Sequence, residues 1–255
     1  MSEVRAVIEK EWREQYYRGR KFTGQFWWTV IVFPGLALAL GLVSLFLARL
    51  MLDEGIPALV VAMVPPFAAL AGMQLMGLAT MHVGVDSIAG ERERHTLDTL
   101  LSSPVTTRDL FLGKLLLPAL IAVSLSQAAI FLVGLISVFF VGPWVLLWMV
   151  AGMLAVLVTI LPNTLGGVAF AMIFSARSES VKSANQKMAY AMIPFNLILP
   201  AVVILMSNGA VNPEQLPLSA LIAIGVSIFL TMLLMSAAFI VFAYRGFKRE
   251  RLILA

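Results

Sequence analysis

Long uncharged apolar runs, broken by short basic segments, decide what this chain can fold into. A helix needs about 20 apolar residues to cross a hydrocarbon core roughly 30 Å thick. Six runs of that scale occur, at residues 26–50, 56–85, 115–141, 143–174, 187–206 and 218–244. Of the 255 residues, 60% are hydrophobic and 13% charged, against about 45–50% and about 25% in soluble domains. The excess comes in blocks, so it specifies spans rather than one large core. The sequence predicts an all-α integral membrane protein with six transmembrane helices.

The cations sort by loop. Arg5, Lys10, Arg13, Arg18, Arg20 and Lys21 precede the first run, and Arg92, Arg94, Arg108 and Lys114 separate the second from the third. Arg177, Lys182 and Lys187 separate the fourth from the fifth, and Arg245, Lys248, Arg249 and Arg251 form the tail. The alternate loops, 53–55, 142–144 and 207–217, hold no Lys or Arg. Cytoplasmic loops carry the excess of Lys and Arg, which places both termini in the cytoplasm. The net charge of +4 therefore marks topology and contact with membrane lipids, and no nucleic-acid partner is expected. Residues 111–141 and 143–175 are each longer than a straight crossing requires, which leaves a tilted helix or a re-entrant break, with Pro162 as the natural break point.

Residues 1–25 read differently from the region 26–255 that carries the spans. Val4, Ile8, Trp12 and Tyr16 recur every four residues, with Glu9, Lys10, Arg13 and Glu14 off that stripe. The pattern predicts an amphipathic helix lying in the membrane interface. It lacks the apolar region and cleavage site of a signal peptide, so the chain is expected to enter the membrane through its own first span.

Several chemistries lack their residues. There is no cysteine, which removes disulfides and thiolate sites. The one Gly-Lys pair, Gly113–Lys114, is followed by Leu115 rather than Ser or Thr, so no phosphate-binding loop is present. The spans hold essentially no ionisable group, and His82 lies near the end of the second. Methionines at 73/76, 149/153, 188/192 and 232/235 fall at helical spacing and read as flexible core filler rather than a Cu(I) path. An intramembrane enzyme would need a nucleophile or metal ligands beside a base. His82, His95 and the absence of an acidic pair within a span do not supply one. No catalytic residue, metal site or cofactor is expected on this chain.

The crowded polar stretch, GERERHTLDTLLSSPVTTRDLFLGK at 90–114, lies within a segment, 86–110, between the second and third spans. Asp86 or Ser87 reads as the cap of a new helical turn and Gly90 as a bend. A helix is then expected from Glu91 to Leu101, with Leu97, Leu100 and Leu101 as an apolar patch. Glu91, Glu93 and Arg94 mark its exposed part, with local pairs Glu91–His95 and Arg94–Asp98. Pro104 stops it, and Thr106 or Thr107 caps the helix entering the third span. Such a piece, tethered to two spans, can dock in a groove on another protein; a solvated connecting loop is the alternative.

The residues Glu91-Arg92-Glu93, Thr96-Leu97, Leu100-Leu101, Pro104-Val105 and Gly113-Lys114 together resemble the signature of membrane subunits in type-2 ATP-binding-cassette (ABC) exporters. His95 stands where that family usually has glycine. The six-span layout, the amphipathic start and the polar SESVKSANQ at 178–186 also fit, so the resemblance covers nearly the whole chain. It implies a coupling helix carrying Glu91, Arg92, Glu93, Arg94, Thr96, Leu97, Leu100 and Leu101. That helix would sit on a separate cytosolic ABC ATPase, which would hold the ATP and Mg. It further implies a dimer with a second permease copy or paralogue, and a path lined by spans 2 and 5, where Phe67, Gln74, Thr80, Tyr190, Phe195 and Asn196 lie. The 53–55 loop is too short for an external domain. Nearly uncharged spans fit export of a hydrophobic drug, lipid-like molecule or peptide across the inner or plasma membrane of a prokaryote. The competing readings are a membrane anchor or assembly subunit that moves no solute, and the intramembrane enzyme.

Overall fold

A computed structural model describes residues 2–15, 17–18, 21–22, 27–74, 76–97, 102, 105–207 and 217–247. Helix α1 spans Ser2–Gln15. A two-residue antiparallel pair follows, β1 (Tyr17–Arg18) and β2 (Lys21–Phe22), with Tyr17 opposite Phe22; this is a small departure from the all-helical expectation. A wide π-type stretch, Trp27–Val32, leads directly into α2, Phe33–Asp53. After a tight turn come α3 (Ala58–Val61), α4 (Val64–Gln74) and α5 (Met76–Glu93). The remaining helices are α6 (Thr107–Val141), α7 (Val145–Ser175), α8 (Val181–Ser207) and α9 (Leu218–Gly246).

Four stretches among the described residues are long and apolar enough to cross a membrane: Thr29–Asp53, Thr107–Val141, Val145–Ser175 and Phe229–Gly246. Neither of the two long segments contains a re-entrant break. Helix α6 runs 35 residues through Pro118, and α7 runs 31 through Pro162. At 1.5 Å per residue α6 is about 52 Å long, well beyond a roughly 30 Å hydrocarbon core. Its first two turns, with Arg108, Asp109 and Lys114, can therefore stand outside the lipid. Pro162 does not end α7 because tertiary packing holds the helix on both sides of it. The Ser236 hydroxyl of α9 donates to the Pro162 carbonyl at 2.7 Å.

Helix α7 is the centre of the molecule, packing most extensively on α5, α6 and α9. In lipid there is little hydrophobic drive between helices, so small residues that let backbones approach decide where they meet. Gly84 of α5 is such a point: a Cβ there would lie 2.7 Å from the Val168 carbonyl and 2.8 Å from Ala171 Cβ of α7. One core joins α2, α4, α6 and α7 around Ala37, Met73, Ile130 and Val156. At one end of the bundle Leu45, Val61, Val141 and Val145 bring together the end of α2, α3, the end of α6 and the start of α7. At the opposite end Ile88, Phe111, Met172 and Phe247 gather the ends of α5, α7 and α9 and the start of α6. Phe111 packs edge-on against Tyr244 and Phe247, with ring centroids 5.4 and 5.5 Å apart.

Helix α1 lies at this second end, against α6. The edge it turns toward the fold differs from the Val4–Ile8–Trp12 stripe expected to face the membrane interface. Val7 and Glu11 are buried, Val4 and Ile8 half-buried, and Trp12 is 38% exposed. The reason is a charged partner inside the fold, described next. Tyr16 lies outside the described residues.

Candidate functional site

Glu91 is the centre of a buried charge cluster, a correction to its expected place on an exposed helix face. It is 1% exposed. Lys10 of α1 donates to its Oε1 at 2.9 Å, and Lys114 of α6 stands 3.6 Å from the same oxygen. Lys114, itself buried, pairs with Glu11 of α1 at 2.6 Å and donates to the Ser87 carbonyl at 2.8 Å. Lys10 also reaches Glu14 at 3.4 Å. The Thr96 hydroxyl donates to Glu91 Oε2. Three helices are thus joined through two ammonium and two buried carboxylate groups, with Glu14 at the rim.

Burial alone would raise the Glu91 pKa. The Lys114 ammonium, the Thr96 hydroxyl and Lys10 outweigh burial and hold the carboxyl at about 2. Burial likewise pushes Lys10 down, and its hydrogen bond and charge contact with Glu91 carry it above its usual value. Glu91 and Lys10 are therefore both charged at neutral pH. The carboxylates of Glu11, Glu14 and Glu91 approach within 4.8 Å of one another, a spacing a metal ion could use. Here Lys10 and Lys114 supply the counter-charge between them.

The expected Gly113–Lys114 pair acquires a structural meaning. Gly113 faces Val7, and a Cβ at that position would run into the Val7 side chain. The missing side chain lets α1 lie close to α6, and Lys114, one residue on, reaches the carboxylates that this approach brings near.

The neighbouring motif residues tie the same helix end to α7 and α8. Arg92 donates to the Ser178 carbonyl. Glu93 accepts from the Val181 amide at 2.8 Å, satisfying a free N–H at the start of α8. Ser175, at the end of α7, inserts into the helical ladder of α5. Its hydroxyl donates to the Val85 carbonyl at 2.6 Å and accepts from the Ile88 and Ala89 amides at 3.1 and 2.9 Å.

Several local expectations change. Helix α5 continues through Asp86, Ser87 and Gly90 to Glu93, with no cap or new helix at 86–91. Ser87 donates to the Gly84 carbonyl of its own helix, and Arg94 pairs with Asp86 at 3.0 Å; Asp98, its expected partner, lies outside the described residues. Gly90 supplies space beneath the Asp86 carboxylate rather than a bend. Glu91 engages Lys10, Lys114 and Thr96, not His95. The chain turns at Arg94 and His95, and His95 takes φ 55°. That is the left-handed region glycine enters freely and a non-glycine residue enters at a cost. Leu97 is buried against Ile88 and Phe111 in the same core. Leu100, Leu101, Asp98 and Pro104 lie outside the described residues. Thr106 caps α6, accepting from the Asp109 amide at 3.1 Å.

Among the described residues, the expected path residues Phe67, Thr80 and Tyr190 do not line the cavity described below. Thr80 is fully buried, Phe67 is 39% exposed and packs edge-on to Trp148, and Tyr190 is 71% exposed on α8. The side chains of Gln74, Phe195 and Asn196 lie outside the described residues. A cavity of about 350 Å³ forms elsewhere, between α5, α7, α8 and α9, lined by Met81, Asn163, Phe170, Met192, Met232 and Met235 among others. The methionine spacings 188/192 and 232/235 marked three of the lining methionines, Met192, Met232 and Met235, but not their convergence.

A bundle of apolar helices, with a charged tie joining several helix ends, defines a multi-pass membrane protein. Residues 6–222 match the family described as ABC-2 family transporter protein, and the chain belongs to that family. It is a permease-type membrane subunit, a transport component rather than a catalytic enzyme itself. A comparison with curated proteins finds no match.

Proposed function

We propose that this chain is the transmembrane permease of an ABC transporter, driven by ATP hydrolysis on a separate cytosolic ATPase that binds ATP and Mg. ABC-2 permeases generally work with an ATPase subunit. The observation that carries the reading is the buried tie around Glu91, which joins α1, α5 and α6, with Arg92 and Glu93 extending it to the α7–α8 link. The segment 94–105 connects α5 to α6, and its Thr96 donates to Glu91 within that tie. A partner seated on it, using Arg94, Leu100 and Leu101, would push on several helices at once. Buried charges cannot slide apart singly, since an uncompensated buried charge costs about 3–5 kcal/mol. The tie therefore favours rigid-body motion over local deformation. In this reading Glu91, Arg92, Glu93, Thr96 and the buried Leu97 hold the coupling segment in place from behind, and Leu100 and Leu101 meet the ATPase.

Six crossings fit the alternation of helix ends: α2, α4 with α5, α6, α7, α8 and α9. Helix α1 and the end of α9 lie at the same end of the bundle, which supports both termini on one side, and the basic loops mark that side as cytoplasmic. A second permease copy or paralogue completes the path, with the exposed Tyr190 on a face such a copy could meet. The apolar spans and the methionine-lined cavity support export of a hydrophobic drug, lipid-like molecule or peptide.

The test is co-purification from native membranes in mild detergent, followed by ATP-dependent flux in vesicles. A stoichiometric partner with a phosphate-binding loop and ATPase activity is expected, together with ATP-driven movement of apolar solute. A bound ATPase without flux would instead identify an anchor or assembly subunit, and no such partner would remove the coupling role of residues 94–105.

A further inference from the structure

A second site lies beside the charge cluster without sharing a residue with it. Val4, Arg5 and Ile8 of α1, with Thr106, Arg108, Asp109, Leu112 and Leu116 at the start of α6, enclose an open groove of about 710 Å³. Its floor is apolar and half-buried: Val4, Ile8, Leu112 and Leu116. Its rim carries two exposed guanidinium groups, Arg5 and Arg108. Among the described residues neither lies within ion-pair distance of a carboxylate, in contrast with Lys10, Arg13, Arg94 and Lys114. The one carboxylate facing the groove, Asp109, accepts a hydrogen bond from the Thr106 hydroxyl at 2.6 Å. The groove also opens at the N-terminal end of α6, the positive end of its helix dipole. It lies at the charged start of α6, beside the beginning of the apolar run at residue 115. A ligand here meets two cations at its head and aliphatic side chains along its body.

We propose that this groove binds an anionic phospholipid, the phosphate between Arg5 and Arg108 and the upper acyl chain along Ile8, Leu112 and Leu116. Basic pockets of this kind between membrane helices hold anionic headgroups. The occupant would wedge α1 against α6, so lipid charge would bear on the same helix pair that Gly113 and Lys114 join. The inference rests on the membrane-spanning fold and stands apart from ATPase coupling.

The experiment is thermal unfolding of the purified full chain in neutral detergent. Phosphatidylglycerol, phosphatidylcholine with the same acyl chains, or inorganic phosphate is titrated in. Phosphatidylglycerol should raise Tm above the other two, and added salt should reduce that excess. Each of Arg5→Gln and Arg108→Gln should weaken the phosphatidylglycerol response roughly fivefold, the effect of one basic residue near an anionic surface. Both melt as the wild type does in phosphatidylcholine. Arg13→Gln, at an exposed cation paired to Glu9 at 2.7 Å, should leave the response unchanged. Equal responses to the two lipids would overturn the proposal. So would phosphate reproducing the effect, or an Arg13→Gln loss as large as the others. A double variant that keeps the lipid response but no longer retains a protein partner would assign the groove to an acidic protein segment instead.

Discussion

Replacing Lys114 with Met would leave Glu11 and Glu91 facing each other with Lys10 on one side only. A buried charge stripped of its partner costs about 3–5 kcal/mol, and a loss of that size in detergent unfolding is the expected result. Glu91→Gln should cost less, about 1.5–3 kcal/mol, because Lys114 keeps Glu11. The double variant should fall short of the sum, by an interaction of about 0.5–3 kcal/mol between contacting groups; simple additivity would mean the cluster is not coupled. The sign of the pH dependence follows from the same carboxyl. Its folded pKa is depressed from 4.5 to about 2, so its contribution is present above 4.5 and is lost as pH falls through 2. Lys10, raised above 10.5, contributes below 10.5 and loses that contribution as pH rises through its folded value. Stability from this pair should be flat across neutral pH, and the acid limb should shrink in Glu91→Gln. At His95, with φ 55°, glycine should be tolerated or mildly stabilising, while valine should cost about 1–3 kcal/mol in strain. Its place in the family signature, where glycine is usual, is the point at which a sequence departure and a backbone requirement coincide.

Elements meet in this protein through small residues and inserted polar groups. Gly84→Leu would force α5 from α7 at the Val168 carbonyl, and overpacking of this kind costs about 1–3 kcal/mol or more. Loss of native yield with retained membrane insertion is the expected readout. Ser175→Ala removes the acceptor of the Ile88 and Ala89 amides. Their hydrogen exchange should quicken while that of α6 does not; unchanged exchange would mean the α5 ladder closes without Ser175. Hydrophobic run length was legible in the chain, because lipid imposes a length on every crossing; that Pro162 sits within an unbroken helix was not. The course of α5 was not. Asp86, Ser87 and Gly90 carry the residue types of a cap and a bend, and in water that reading is sound. Here each side chain finds another partner: Arg94 for Asp86, the helix's own carbonyl for Ser87, and packing space at Gly90. Local propensity yields when tertiary partners supply the hydrogen bonds.

At the scale of the whole molecule, the chain by itself determined a multi-pass helical membrane protein and the family it belongs to. Apolar length, loop charge and the Glu-Arg-Glu to Gly-Lys pattern are one-dimensional quantities, set by the bilayer and by short-range order. Amphipathic α1 was legible as a helix for the same reason, but its inward edge was not. Val4, Ile8 and Trp12 form the stripe a lipid surface selects, yet Lys10 and Glu11 are the residues drawn toward the fold. Only the tertiary structure decided that, because the partners of Lys10 and Glu11 are Glu91 and Lys114, 81 and 103 residues away. A charge has no directional signature in sequence, and its burial becomes favourable only when distant opposite charges are brought within hydrogen-bond reach. The tie between helix ends is therefore a property of the assembled bundle, and the greasy runs that build the bundle are a property of the chain.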